Sequence, residues 1–144
     1  MITVDQIHSR IAQMLPYKTI YVKEFTWESM RIDGIAIEIY KRWIRGFEIK
    51  VNRNDFLNDK KWIDYSRFCS SLSIVCPAEL IKPEEVEAPF GLLWMHPDKY
   101  GRDVVGDVQW VKRPKNFQKR ASMAWLYTYV EVLEKEFPRL YFEK

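Results

Sequence analysis

The chain from position 31 to position 51 reads RIDGIAIEIYKRWIRGFEIKV, and this stretch decides the fold. Residues 31–40 and 43–51 are rich in β-branched and aromatic residues, a composition that favours strands. A tight turn with Lys41 and Arg42 at its tip would join the two segments in an antiparallel hairpin. The register that this turn sets pairs Glu38 with Arg45 by charge and Tyr40 with Trp43 by aromatic contact.

One face of the predicted hairpin is apolar near the turn and charged at its open end. Alternation of side chains along a strand places Asp33, Glu48 and Lys50 on that face. Two carboxylates there can share a divalent cation, and the lysine can position a water molecule or a phosphate. The three charged groups alone fit a solvated strand face as well. The isoleucines on the same face indicate that it is covered, which favours a site at its rim; they are Ile35, Ile37 and Ile39.

The flanking segments predict an α/β domain with a mixed sheet, because helices and strands alternate along the chain. Predicted helices span residues 4–15, from Asn52 or Asn54 to about Cys69, and about 116–137. Further strands are predicted at residues 18–25, 72–76 and 91–95. Three prolines make residues 77–90 mostly loop.

The composition fits one folded domain that spans residues 1–144. A hydrophobic fraction of 47% and an aromatic fraction of 15% can build a core, which excludes a disordered chain. The net charge of +3 permits nucleic-acid binding without requiring it. A run of cations without an acid predicts contact with a DNA backbone; it contains Lys112, Arg113, Lys115, Lys119 and Arg120.

The two cysteines and two histidines form no zinc-binding pattern, so Cys69 and Cys76 are predicted to be small buried hydrophobic residues. The N-terminus lacks the features of a secretory signal, and no apolar run is long enough to cross a bilayer. These observations predict a cytoplasmic protein without a membrane partner.

The spacing of the charged residues resembles the core motif of the PD-(D/E)XK nuclease superfamily: Asp33, fourteen intervening residues, then Glu48-Ile49-Lys50. The surrounding residues are similar to MmcB-type DNA-repair proteins over roughly residues 20–105. The residues that carry this likeness are Glu24, Arg31-Ile32-Asp33, Asp55-Phe56, Asp59-Lys60-Lys61-Trp62, Tyr65, Cys69, Val75-Cys76-Pro77, Pro89-Phe90-Gly91-Leu92-Leu93 and Tyr100-Gly101. The predicted helix at about 116–137 lies outside the resemblance.

The resemblance implies a restriction-endonuclease-like fold, which is a three-layer core with a central mixed β-sheet flanked by helices. It also implies hydrolysis of DNA phosphodiester bonds that depends on Mg²⁺ or Mn²⁺. The implied metal ligands are the carboxylates of Asp33 and Glu48 and the backbone carbonyl of Ile49, with Lys50 positioning the attacking water. Ile32 stands where the superfamily motif has proline.

Two accessory positions accompany this group. Some branches of the superfamily have a glutamate in the first helix, where this chain offers only Asp5 and Gln13, and Glu24 is the best substitute. Lys61 could contact a substrate phosphate. Asp55 and Asp59 are interpreted as acids near a helix N-terminus that complement its dipole.

Two other functions remain open at this stage. The chain could be a non-catalytic nucleic-acid-binding module, or a repair-complex subunit that retains a nuclease fold. It could also be a structural domain without catalytic function. Divalent-metal binding and turnover would separate these classes. The sequence leaves open DNA against RNA, single against double strand, endo against exo cleavage, sequence specificity and oligomeric state.

Overall fold

The computed structural model of the chain describes residues 1–27, 29–59, 64–65, 69–117 and 122–136. Within these residues, helices and strands alternate as the sequence predicts for an α/β domain. They are α1 (Val4–Met14), β1 (Thr19–Trp27), β2 (Met30–Glu38), β3 (Trp43–Ile49), α2 (Arg53–Asn58), β4 (Ser71–Pro77), β5 (Gly91–Pro97), β6 (Val105–Lys112) and α3 (Ser122–Glu136). No helix in this part of the chain is long and apolar enough to cross a membrane.

The six strands form one mixed sheet in which their spatial order is their chain order. β3, β4 and β5 run parallel to one another, whereas β2 and β6 run antiparallel to their neighbours. The prediction of an α/β fold with a mixed sheet is therefore confirmed. The connection from β3 through α2 to β4 brings the open end of the β2–β3 pair next to the helical layer.

Helix α1 begins where the sequence predicts it. The Thr3 side chain accepts a hydrogen bond from the backbone N–H of Gln6, and the Gln6 side chain accepts one from the backbone N–H of Thr3. This capping box satisfies two N–H groups at the helix start. The helix ends at Met14, and Leu15 adopts an extended conformation before Pro16, because the residue preceding a proline disfavours helical geometry.

Two apolar clusters lie on opposite faces of the sheet. On one face, Ile7 and Ile11 of α1 pack in a cluster with Ala36, Phe47 and residues of β4 and β5. On the other face, Phe56 of α2 and Val132 of α3 belong to a cluster built on the isoleucines of β2. Helices thus cover both faces, and each cluster removes apolar side chains from water, which supplies the main stabilisation of the fold.

The predicted register of the hairpin is wrong by two residues. Ile37 lies opposite Ile44 and Ile35 lies opposite Gly46, with a four-residue loop at 39–42 instead of a two-residue turn. Two-residue hairpin turns favour glycine or asparagine at left-handed positions, which Lys41-Arg42 does not offer. The four-residue loop at 39–42 has a left-handed backbone only at Arg42, whose φ is 55°.

The register shift has different consequences for the two predicted cross-strand pairs. The Tyr40–Trp43 pair is absent, because Trp43 lies opposite Glu38, and Tyr40 is exposed with its hydroxyl 2.8 Å from Lys18 Nζ. The Glu38–Arg45 pair survives as a diagonal contact in which Arg45 Nε donates to Glu38 Oε2 at 2.9 Å. A shift of two leaves each side chain on its own face, because the period of a strand is two.

Two predicted helices are shorter than expected. α2 ends at Asn58, and Asp59 is extended (φ −90°, ψ 118°), so the helix does not continue to Cys69. Asn116 and Phe117 precede α3 and are not helical; the Phe117 N–H donates to the Ser70 carbonyl at 2.9 Å. Trp62, which falls within the predicted second helix, lies outside the described residues.

Strand β6 is missing from the sequence prediction. Its residues pair antiparallel with β5 at the edge of the sheet. Gly106 and Asp107 interrupt the apolar pattern, and the alternation of exposed and half-buried residues covers only Asp107–Trp110, which is a short signal for a strand. Antiparallel pairing with β5, the preceding strand, makes this stretch a strand.

The close packing around Gly46 gives a prediction about stability. A Cβ atom at this position would lie 2.7 Å from Ile32 Cδ1 and 2.9 Å from both Cys69 Sγ and Leu72 Cδ1. We expect Gly46→Ala to lower the free energy of unfolding by roughly 1–3 kcal/mol, the usual cost of overpacking a core. Urea denaturation measures this loss. Gly101→Asn, at an open left-handed position (φ 74°), should cost less; equal losses would contradict the packing argument.

Candidate active site

The candidate site lies where the β2–β3 ladder ends. The last paired residues are Gly34 and Phe47. Beyond them the Asp33 N–H donates to Glu48 Oε1 at 3.2 Å, and the Ile49 N–H donates to Asp33 Oδ2 at 2.8 Å. These reciprocal bonds between side chain and backbone replace the next step of the ladder. The structure therefore brings together the two carboxylates that the sequence predicts.

The strict alternation used to predict this meeting does not hold at Asp33. Ile32 and Ile35 both pack in the same core cluster, although an odd number of positions separates them. On the neighbouring strand Glu24 has a left-handed backbone with φ 53°, between Lys23 and Phe25, which pair with Gly34 and Ile32. β1 and β2 are thus distorted together, and Asp33 meets Glu48 through hydrogen bonds at this distortion.

Lys50 is held at two points. Its backbone N–H donates to the Val75 carbonyl at 2.8 Å, and its Nζ donates to Asp59 Oδ2 at 2.7 Å. Only 10% of the Lys50 side chain and 14% of the Asp59 side chain are exposed. A buried ammonium needs such a partner to stay charged. Asp59 follows the last residue of α2, so its interpretation as an acid at the helix N-terminus is wrong, whereas Asp55 lies in the first turn as expected.

The electrostatics of the site centre on Glu48, whose side chain is buried. Burial, and after it the negative charge of Asp33, raises the pKa of Glu48 to about 8. The hydrogen bond from the Asp33 backbone and the charge of Lys50 oppose this rise. Asp33, Glu48 and Asp59 carry more negative charge when ionised than Lys50 can balance, and a cation at the site would relieve this excess.

Tyr65 closes one side of this group. Its hydroxyl donates to the Arg31 carbonyl at 2.9 Å, and its ring is buried. Burial raises the pKa of the Tyr65 hydroxyl, and the charges of Glu48 and Asp59 raise it further. Tyr65 is a core residue, since it belongs to the same cluster as Phe56 of α2.

A partly buried pair that the sequence does not predict lies near Asp33. His8 Nδ1 of α1 is 2.6 Å from the Tyr21 hydroxyl. The Tyr21 side chain covers Gly34, where an added Cβ would lie 2.2 Å from the hydroxyl oxygen. Burial lowers the pKa of His8 and raises the pKa of Tyr21, and the charge of Asp33 raises both. The first helix therefore contributes a histidine, where an acid was sought, but on the face of the sheet where Tyr21 packs, opposite to that of Glu48.

The sequence does contain a signal for His8. Ile7 and Ile11 mark the buried side of α1, and His8 adjoins Ile7 and precedes Ile11 by three positions. A histidine on the apolar stripe of an amphipathic helix must find a hydrogen-bond partner inside the protein. The sequence does not identify that partner as Tyr21.

The oxygen atoms at the ladder end suit Mg²⁺, which binds through one or two carboxylates and keeps several waters. Asp33 and Glu48 supply the carboxylates. The Ile49 carbonyl points to the same strand edge as its N–H, and therefore towards Asp33. In the part of the chain that the structure describes, no group of three or more His, Cys, Asp or Glu residues could hold a metal ion. Water and a substrate phosphate would have to complete the shell.

The other predicted site residues are not gathered here. Glu24 forms an ion pair with Arg31 at 2.9 Å, and both side chains are more than 60% exposed. Lys112 Nζ donates to the Val86 carbonyl. Lys61, Lys119 and Arg120 lie outside the described residues. Cys69 and Cys76 are free and buried, as predicted, and burial raises the pKa of both thiols.

Comparison with known proteins supports the fold and assigns no activity. No family model matches the chain, and no curated protein matches it. Among solved structures, the chain is similar to a protein of unknown function from Silicibacter pomeroyi, with a TM-score of 0.59 and 20% sequence identity. The match covers 88% of this chain and 87% of that chain. At this identity the likeness concerns the fold alone.

Proposed function

We propose that the protein is a Mg²⁺-dependent nuclease that hydrolyses DNA phosphodiester bonds, with a restriction-endonuclease-like fold. The observation that carries the proposal is the reciprocal hydrogen bonding of Asp33 and Glu48 at the end of the ladder. These bonds bring the carboxylates of Asp33 and Glu48 next to the backbone of Ile49. Ile49 immediately precedes the buried Lys50. Repair, restriction and phage-type DNA metabolism are the processes in which such an enzyme would act.

Each residue of the site has a distinct role in this proposal. Asp33, Glu48 and the Ile49 carbonyl would hold Mg²⁺. The ion, when bound, supplies positive charge to the phosphate and lowers the pKa of a bound water. Lys50 orients the attacking water and stabilises the negative charge that develops on the phosphate. Asp59 is a positioning residue, because its carboxylate fixes Lys50 Nζ at 2.7 Å.

A cleavage assay tests the proposal directly. Labelled single-stranded and double-stranded DNA and RNA are incubated with the protein and Mg²⁺ or Mn²⁺, and the products are resolved by size. We expect metal-dependent cleavage of DNA that Glu48→Gln abolishes. Glu79→Gln is the matched control, because the Glu79 side chain is 72% exposed and far along the chain from the site.

Two negative results would have different meanings. Binding of Mg²⁺ without cleavage of any substrate would support the alternative of a non-catalytic nucleic-acid-binding module or repair-complex subunit. The absence of divalent-ion binding would contradict the nuclease assignment itself. Isothermal titration with Mg²⁺ and Mn²⁺ distinguishes the two results.

The cation run gives a prediction about DNA affinity. Arg113 and Lys115 are exposed, whereas Lys112 is already bound to a backbone carbonyl. We expect Arg113→Ala and Lys115→Ala each to reduce the slope of log K against log salt by roughly 0.9 for every phosphate that is no longer neutralised. Lys112→Ala should change it less. Fluorescence anisotropy with duplex DNA at several salt concentrations measures the slopes. If Arg113→Ala and Lys115→Ala leave the slope unchanged, the cation run is a solvated surface that does not contact DNA.

A further inference from the structure

A cavity lies along β3 on the face of the sheet opposite to Glu48. Its volume is about 410 Å³, within the range of small-molecule sites. Trp43, at the start of β3, and Trp110 of β6 form aromatic parts of its wall, and both are partly exposed. Phe47 contributes a buried ring. The β3 residues that line the cavity alternate with Glu48 along the strand and face the other side of the sheet, so the cavity is distinct from the candidate active site.

The charge of the cavity is positive. Arg45, Arg113 and Lys115 line it, and the described residues that line it include no acid. The charge of Arg45 is neutralised by Glu38, whose Oε2 accepts a hydrogen bond from Arg45 Nε at 2.9 Å. Arg113 and Lys115 are the cations that would bind an anion. The Arg113 guanidinium carbon lies 5.8 Å from the centroid of the Trp110 ring. A cation is thus held beside an aromatic surface.

Small polar groups form the inner part of the cavity. Ser71 and Ser73 of β4 are buried and reach its wall. Ser73 and Pro114 pack closely against Gly91, where an added Cβ would lie 2.6 Å from Ser73 Oγ and 2.8 Å from Pro114 Cδ. A hydroxyl can both donate and accept a hydrogen bond, so these serines suit the polar edge of a ligand whose faces contact aromatic rings.

We propose that this cavity binds one unpaired nucleotide, with the base against the tryptophans and the phosphate on Arg113 and Lys115. Stacking of a base on an aromatic side chain is a general means of binding single-stranded nucleic acid, and Arg binds phosphate with defined geometry. The combination favours a nucleotide over an acidic peptide, which would use the cations but leave the tryptophans and serines without a matching group. The proposal is independent of cleavage.

The test follows the indole N–H signals of the six tryptophans by ¹H–¹⁵N NMR during titration with dTMP. A chelator is present, so that no divalent ion contributes at Asp33 and Glu48. We expect saturable shifts of the Trp43 and Trp110 signals, assigned with Trp43→Phe and Trp110→Leu. Trp110→Leu and Arg113→Ala should each weaken the affinity roughly tenfold. Lys99→Ala, which removes an exposed cation outside the cavity, should leave it unchanged.

Further ligands distinguish the sources of the nucleotide and the competing occupants. If the nucleotide belongs to a strand, a short oligo-dT should bind more tightly than dTMP and shift the same two signals. A fully paired hairpin, which offers phosphates to Arg113 and Lys115 but no unpaired base, should not shift the Trp43 signal. If free nucleotide is the ligand, dTMP should bind as well as oligo-dT. Inorganic phosphate or an acidic peptide that binds as tightly as dTMP would overturn the proposal, and so would shifts confined to other tryptophans. The nucleotide titration needs neither metal nor turnover. A negative result would therefore not bear on the nuclease proposal, which the cleavage assay tests.

Discussion

Glu48→Gln is expected to abolish DNA cleavage while the protein stays folded. The substitution keeps the size of the side chain but removes one of the two charges that would hold Mg²⁺. We expect the cleavage rate to fall by about 10²–10³-fold or more, the loss seen when a group that stabilises transition-state charge is removed. Asp33→Asn should behave alike, and both variants should bind Mg²⁺ more weakly in a calorimetric titration.

Lys50→Ala should separate metal binding from turnover. It removes a positive charge close to the carboxylates, so affinity for Mg²⁺ should be retained or increase while cleavage is lost. Asp59→Asn provides the matched comparison, because it leaves Lys50 in place but removes the carboxylate that fixes its Nζ. We expect an intermediate loss of cleavage, roughly 10–100-fold, as for other groups that orient a site residue. Loss of Mg²⁺ binding in Lys50→Ala would contradict the assigned roles.

The stability of the metal-free protein is expected to fall as pH rises from about 5 to about 8. The pKa of Glu48 is about 8 in the folded state, against an ordinary value of 4.5. Between these values only the folded protein holds the proton, so each pH unit lowers the free energy of unfolding by up to about 1.4 kcal/mol. Below 4.5 both states are protonated and the contribution is complete; above about 8 it is lost. The total effect is on the order of a few kcal/mol.

Glu48→Gln isolates this effect from the titration of other groups. The difference in stability between the variant and the wild type should be smallest near pH 5 and should favour the variant increasingly towards pH 8. Urea denaturation in the presence of a chelator measures both curves. Mg²⁺ should stabilise the wild type at pH 8 and have little effect on the variant, because an ion bound only by the folded state shifts the equilibrium. Parallel curves for the two proteins would show that Glu48 does not titrate as described.

The sequence alone predicts the class of the fold and the central residues of the candidate site. Apolar periodicity locates α1 and five of the six strands, because each buries a regular stripe or face that the chain itself displays. The D-x14-E-x-K spacing identifies Asp33, Glu48 and Lys50 before any contact is known. An even error in register does not move a residue to the other face of its strand, so the wrong turn at 39–42 left Glu48 and Lys50 on the predicted face. Asp33 joins Glu48 through hydrogen bonds at the distortion of β1 and β2.

Only the tertiary structure decides how those residues meet and what state they are in. Asp33 reaches the Ile49 N–H through a distortion shared by β1 and β2, which follows no pattern within either strand. The raised pKa of Glu48 comes from its burial and from Asp33, fifteen positions away. Lys50–Asp59 and His8–Tyr21 likewise join residues on different elements. Local sequence encodes which side chains an element carries, whereas burial and pairing between elements arise only when the whole sheet and its helices assemble.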